Sequence, residues 1–147
     1  MKKFAFTLET ARRLRERQAE VEEARLQGLL AERNGIEGRL AELGDELARE
    51  HRRIEDRSFD GREVQALDGF RVWAGREEQR LKATRAECEL RIRKQRAAVV
   101  EARRRFELVD RLKEKALIEW QAAGVKEQED LAAELHLARR VRQEEGG

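Results

Sequence analysis

Arg57-Ser58-Phe59-Asp60-Gly61-Arg62-Glu63 is the stretch that decides how this chain folds. Everything around it reads as helix: the 147 residues contain no proline, 44% of them are charged and only 5% are aromatic. Proline costs about 3 kcal/mol in a helix interior and is common in turns, so its absence leaves few places where the chain bends. Within the quoted stretch Ser58, Asp60 and Gly61 favour a turn, and Asp60 followed three residues later by Glu63 spells a capping box, the signature of a helix start. The spacing predicts helix one over about 8–56, a turn over about 57–61 and helix two over about 62–142.

Working outward, apolar residues recur every three or four positions on both sides. The first stripe runs through Leu14, Gln18, Val21, Arg25, Leu29, Arg33, Ile36, Leu40, Leu43, Leu47, Glu50 and Ile54, and it is clean only after Leu29. Three successive steps of four between Val21 and Arg33 predict a local unwinding there. The second stripe takes in Val64, Leu67, Phe70, Ala74, Leu81, Cys88, Ile92, Val99, Ala102, Phe106, Val109 and Leu112, then continues through Ala116, Trp120, Ala123, Leu131, Leu135, Ala138 and Val141. A short turn between long helices makes them antiparallel neighbours. The expected fold is thus all-α, a long antiparallel two-helix coiled-coil hairpin forming one domain over 1–147, mainly monomeric, that sets Leu40 near Glu78 and Leu8 near Asp110.

The helices are unequal, roughly 70 Å against roughly 120 Å at 1.5 Å per residue. Past about Lys115 the apolar stripe has no partner in helix one, and Leu117, Trp120, Leu131 and Leu135 are expected to be a partner-binding rod end. A second expected partner surface lies near the turn, where Phe59, Phe70 and Trp73 gather in a shaft otherwise nearly free of aromatics. Gly28, Gly35, Gly38 and Gly44 fall inside helix one at about 1 kcal/mol each relative to alanine, pointing mostly outward as neutral drift or as a thinned face for docking.

Formal net charge is +2, with 33 basic and 31 acidic residues, so neither a nucleic-acid field nor an acidic tail dominates. The basic run of Arg91, Arg93, Lys94, Arg96, Arg103, Arg104 and Arg105 lacks interleaved aromatics, and nucleic acid is not an expected partner. From Glu114 to Glu134 the sign reverses. The single Cys88 excludes an intrachain disulfide, Met1 to Thr7 has no apolar run of a signal peptide, and no segment approaches the roughly 20 apolar residues of a membrane span. A soluble, cytoplasmic protein is expected.

No phosphate-binding loop, H-E-x-x-H, C-x-x-C or G-x-S-x-G occurs. His51 and His136 are isolated, and adjacent carboxylates such as Glu77 and Glu78 diverge by about 100° on a helix. No catalytic residue, metal site or cofactor is expected, and the chain is not expected to be an enzyme.

The opening Lys2-Lys3-Phe4-Ala5-Phe6-Thr7-Leu8-Glu9, followed by a helix with Leu29, Leu40 and Leu43, resembles the flagellar export protein FliJ family, whose members open on an F-x-F-x-L-E pattern. Glu107 to Lys115 is similar to that family's lysine- and glutamate-rich segment, while Glu129 and Asp130 stand in reverse order to an Asp-Glu pair common in it. The resemblance implies a non-enzymatic central stalk and chaperone escort of the flagellar type III export apparatus. Its partners would be the hexameric export ATPase, the cytoplasmic part of the membrane export gate, and export chaperones, placing it at the cytoplasmic face of the inner membrane. An injectisome type III secretion stalk is the sibling reading, and a self-associating structural coiled-coil scaffold is the alternative of another class.

Overall fold

The computed structural model describes residues 2–55 and 60–146. Among these the chain forms two α-helices, α1 over Glu9–Glu55 and α2 over Gly61–Glu145, of 47 and 85 residues. Both boundaries lie within three residues of those the sequence predicts. Asp60 is the cap of α2: its Oδ1 accepts the backbone N–H groups of Arg62 and Glu63, both at 3.0 Å, and its carbonyl accepts that of Val64 at 3.3 Å. Such a cap is worth about 1 kcal/mol, because it satisfies donors that have no partner within the helix. Of the expected turn, about 57–61, residues 57–59, Phe59 among them, lie outside the described residues. No described helix is long and apolar enough to cross a membrane.

The chain divides into two compact units, one of Met1–Ala19 with Ala102–Gly147 and one of Glu20–Glu101. In the second unit, α1 packs on α2 through Leu26, Ile36 and Leu43 against Ala74, Leu81, Cys88, Ile92 and Val99, all buried. Leu29, Leu30, Leu40 and Leu47 close the cluster from its edges. Ala74 and Cys88 are fully enclosed and small, so they mark where the backbones come near; the Cys88 thiol lies 3.5 Å from the Leu29 carbonyl, its acceptor. Polar pairs flank the seam: His51 with Arg71 at 2.8 Å, Arg39 with Glu77 at 4.0 Å, Arg33 with Glu89 at 3.5 Å, Glu32 with Arg91 at 2.7 Å, and the Glu22 carbonyl with Gln95 at 2.9 Å. Along this series the partner number in α2 rises as the number in α1 falls.

The first unit is built differently. All nine buried apolar side chains of the described residues belong to the other unit, whereas here the α1 residues that meet α2 include Glu9 and Arg12, both half-buried. Arg12 Nε donates to Asp110 Oδ1 at 2.9 Å while its guanidinium carbon sits 5.3 Å from the centre of the Phe106 ring. Lys113 Nζ lies 3.0 Å from Glu9 Oε2. The Lys113 bond holds the Glu9 carboxyl below its ordinary value, and the Asp110 bond pushes the Arg12 guanidinium higher still. Ion pairs at a half-exposed seam stabilise by far less than an apolar core of equal length.

This packing corrects the expected stripe in the first half of α1. Leu14 is 55% and Val21 38% exposed, and Gln18 and Arg25 are exposed as well; Arg12 meets α2 in the Met1–Ala19 unit, and Leu26 does so in the other. The reason is helical geometry. At about 100° per residue Leu14 lies about 200° round the helix from Arg12, and Val21 lies about 140° round it from Leu26. Along α2 the expected stripe holds from Leu67 to Trp120, except that Leu112, like Val64 before it, is exposed.

Candidate partner-binding surfaces

Two surfaces carry the residues expected to bind partners, one in each unit. In the Glu20–Glu101 unit, Phe70 sits one turn before Trp73 on α2, and the two rings lie 5.9 Å apart at 31°. Phe70 is half-buried over the seam, while Trp73 is 53% exposed. A tryptophan that projects to this degree keeps most of its apolar area in water, which is unusual unless another surface covers it. Beside it a cleft of about 80 Å³ is lined by Arg39, Glu42, Leu43, Glu46, Glu77 and Leu81. A larger hollow of about 340 Å³ lies nearer the start of α2, between Glu50, Arg53, Ile54, Glu63, Leu67 and Phe70. Glu77 is bound mainly within its own helix: Arg80 donates to it from Nε at 3.1 Å and from the terminal nitrogen, and this bidentate bond lowers the carboxyl's pKa. Phe70 and Trp73 thus come together as expected.

In the other unit, α2 runs on after α1 has ended. Trp120 is half-buried because residues preceding α1 lie on it: its indole N–H donates to the Lys2 carbonyl at 3.2 Å, and the Phe4 ring packs at 5.8 Å and 58°. The chain then enters α1 with the Phe6 carbonyl accepting the Glu9 N–H at 3.1 Å. A cleft of about 420 Å³ is lined by Lys2, Trp120, Ala123, Gly124 and Glu127. Leu117 is half-buried too. The four residues expected to form an unpartnered end therefore split: Leu117 and Trp120 lie in the covered part, whereas Leu131 and Leu135 stand 59% and 55% exposed in a stretch, 125–146, that is exposed throughout. Leu137 and Val141 share that exposure.

Sequence reasoning did not assign the contact of Lys2 and Phe4 with Trp120. The signal for it is the pair Phe4 and Phe6 in a chain with five phenylalanines, since aromatics just before a helix have nowhere to go but the neighbouring surface. Nor did it find the seam of Glu9, Arg12, Asp110 and Lys113, whose members look on paper like a solvated face. Comparison with protein-family models, curated proteins and solved structures finds no match for the chain.

Proposed function

We propose that this chain is a non-enzymatic stalk of the flagellar type III export apparatus, an antiparallel coiled-coil hairpin whose free helix end enters the hexameric export ATPase. The observation that carries the reading is the uncovered end of α2. From Val125 to Glu145 the helix is exposed on every side, with Leu131, Leu135, Leu137 and Val141 in water, and the last described aromatic before it, Trp120, is only partly covered. Helices of this length are marginal alone, and apolar side chains along one are stabilised by about 1.5–3 kcal/mol each once a partner encloses them. The opening Phe4, Phe6, Leu8 and Glu9, through which the chain resembles the FliJ family, supports the same reading.

On this proposal Leu117, Trp120, Leu131 and Leu135 are gripped by the ATPase ring, and Phe70 and Trp73, with Phe59, meet the cytoplasmic part of the export gate or an export chaperone. The protein would then work as a monomer in the cytoplasm, held at the inner membrane through its protein partners, with no cofactor and no nucleic acid. A stalk of an injectisome export system would use the same surfaces. The exposed leucines of the α2 end also favour a second reading, a self-associating scaffold.

The test is to mix the purified chain with the flagellar export ATPase of the same source, following hexamer assembly and ATP turnover. Both should rise on addition of the full chain and fail to rise with a chain ending at Gly124. A chain that leaves the ATPase unchanged and forms concentration-dependent helical oligomers belongs to the scaffold reading.

A further inference from the structure

The Trp73 cleft has a chemistry of its own. Its floor is apolar, from Leu43 and Leu81; its walls are the Trp73 indole and the carboxylates of Glu42, Glu46 and Glu77, with Arg39 as the lone cation. With Arg80, which holds Glu77, three carboxylates face two guanidinium groups, and the negative charge left over belongs to Glu42 and Glu46. The carboxylates are not equivalent. Glu77 is held by Arg80 and, at 4.0 Å, by Arg39, whereas Glu42 and Glu46 make no ion pair or hydrogen bond among the described residues. They stand four residues apart on α1, hence on one face, and both border the cleft with Trp73.

The indole is likewise unused by the chain's own cations. Among the described residues the cation–π contact is that of Arg12 over Phe106, in the other unit, although 33 lysines and arginines are available. A tryptophan face is the best aromatic acceptor for a cation, and arginine is the cation that stacks on it while its remaining donors reach carboxylates. A cleft of about 80 Å³ is the size for one side-chain head and not for a small-molecule cofactor.

We infer that this cleft docks a basic segment of a protein partner, one arginine of which stacks on Trp73 and is bound by Glu42 and Glu46. The inference rests on the reading of Phe70 and Trp73 as a partner surface and adds the chemistry that the partner presents. Phe70, half-buried beside Trp73, supplies apolar area for a residue flanking the arginine. Charge gives the encounter its direction, and the stack on Trp73 gives it specificity.

The experiment uses the full chain with Trp120→Phe, so that Trp73 is the only emitter. Two acetylated, amidated twelve-residue peptides are titrated, each with leucine at every third or fourth position, one carrying arginine at its remaining positions and the other citrulline, the uncharged isostere. The arginine peptide should shift Trp73 emission and bind at least tenfold more tightly than the citrulline peptide. Glu42→Gln with Glu46→Gln should weaken it by about tenfold with helicity unchanged, and Trp73→Ala, followed by anisotropy of a labelled peptide, should do so at least as strongly. Equal binding of the two peptides, or binding indifferent to Trp73→Ala, overturns the inference. Binding to the export gate's cytoplasmic domain separates the two ideas: sensitivity to Trp73→Ala but not to the glutamine pair removes the arginine and keeps the surface, while insensitivity to Trp73→Ala removes the surface itself.

Discussion

The Trp120 indole N–H reaches the carbonyl of Lys2, 118 residues earlier in the chain, at 3.2 Å. Together with the Phe4 ring, that bond turns the segment before α1 into a cover for a face of α2 that α1 does not reach. Deleting residues 2–7 should uncover Trp120. In a Trp73→Phe background its emission should move to the red and its quenching by acrylamide should rise, while the far-ultraviolet signal per residue stays that of a helical chain. An unchanged spectrum would mean that Trp120 is shielded by something other than Lys2 and Phe4.

The seam of α1 makes a sharp contrast testable by urea unfolding. Leu26 is 9% exposed and Ile92 1%, whereas Leu14 is 55% exposed. Ile92→Ala should lower stability by about 3 kcal/mol and Leu26→Ala by about 2 kcal/mol, the range for emptying a packed site, while Leu14→Ala should stay within about 0.5 kcal/mol. Comparable losses at Leu14 and Leu26 would return the seam to the stripe that begins at Leu14.

Acid should act on Glu9 in a defined direction. Its carboxyl titrates below the ordinary value of 4.5, chiefly through the bond from Lys113. Because the folded value is the lower one, the stabilisation from this group is present above about pH 4.5 and is lost as pH falls through the folded value. Carboxyl carbon NMR should place Glu9 below its ordinary value in the native chain and raise it in Lys113→Met. A Glu9 titration that ignores Lys113→Met would disprove the pairing.

Gly28, Gly35, Gly38 and Gly44 lie within α1, and a methyl group added at any of them meets nothing within 4 Å. Each Gly→Ala change should therefore raise stability by about 0.5–1 kcal/mol, since alanine loses less backbone freedom in a helix and no neighbour has to move. If these glycines thin the helix for a docking partner, the fourfold variant should be more stable and bind that partner less well. Equal binding assigns them to drift.

Trp73→Ala should cost under about 1 kcal/mol of stability, because the side chain is half in water and its packing partner Phe70 keeps its own place over the seam. Binding to the gate domain should fall by tenfold or more, as for an aromatic anchor. A large drop in melting temperature with unaltered binding would make Trp73 a structural residue.

What the sequence by itself determined is the pair of helices: absence of proline, the Asp60 cap and the 3,4 recurrence along α2 concern residues within a turn or two of each other, and helix formation is decided at that range. The ends of α1 and α2, the burial of Leu67, Ala74, Leu81, Cys88, Ile92 and Val99, and the approach of Phe70 to Trp73 all followed from such local patterns. Only the tertiary structure decided which face of early α1 meets α2. There Leu14 and Val21 are exposed while Glu9 and Arg12 meet Lys113 and Asp110, because Leu14 lies about 200° round the helix from Arg12 and Val21 about 140° from the buried Leu26. The same holds for Lys2 and Phe4. Their contact with Trp120 spans nearly the whole sequence, and no periodicity encodes a bond between segments that far apart in the chain.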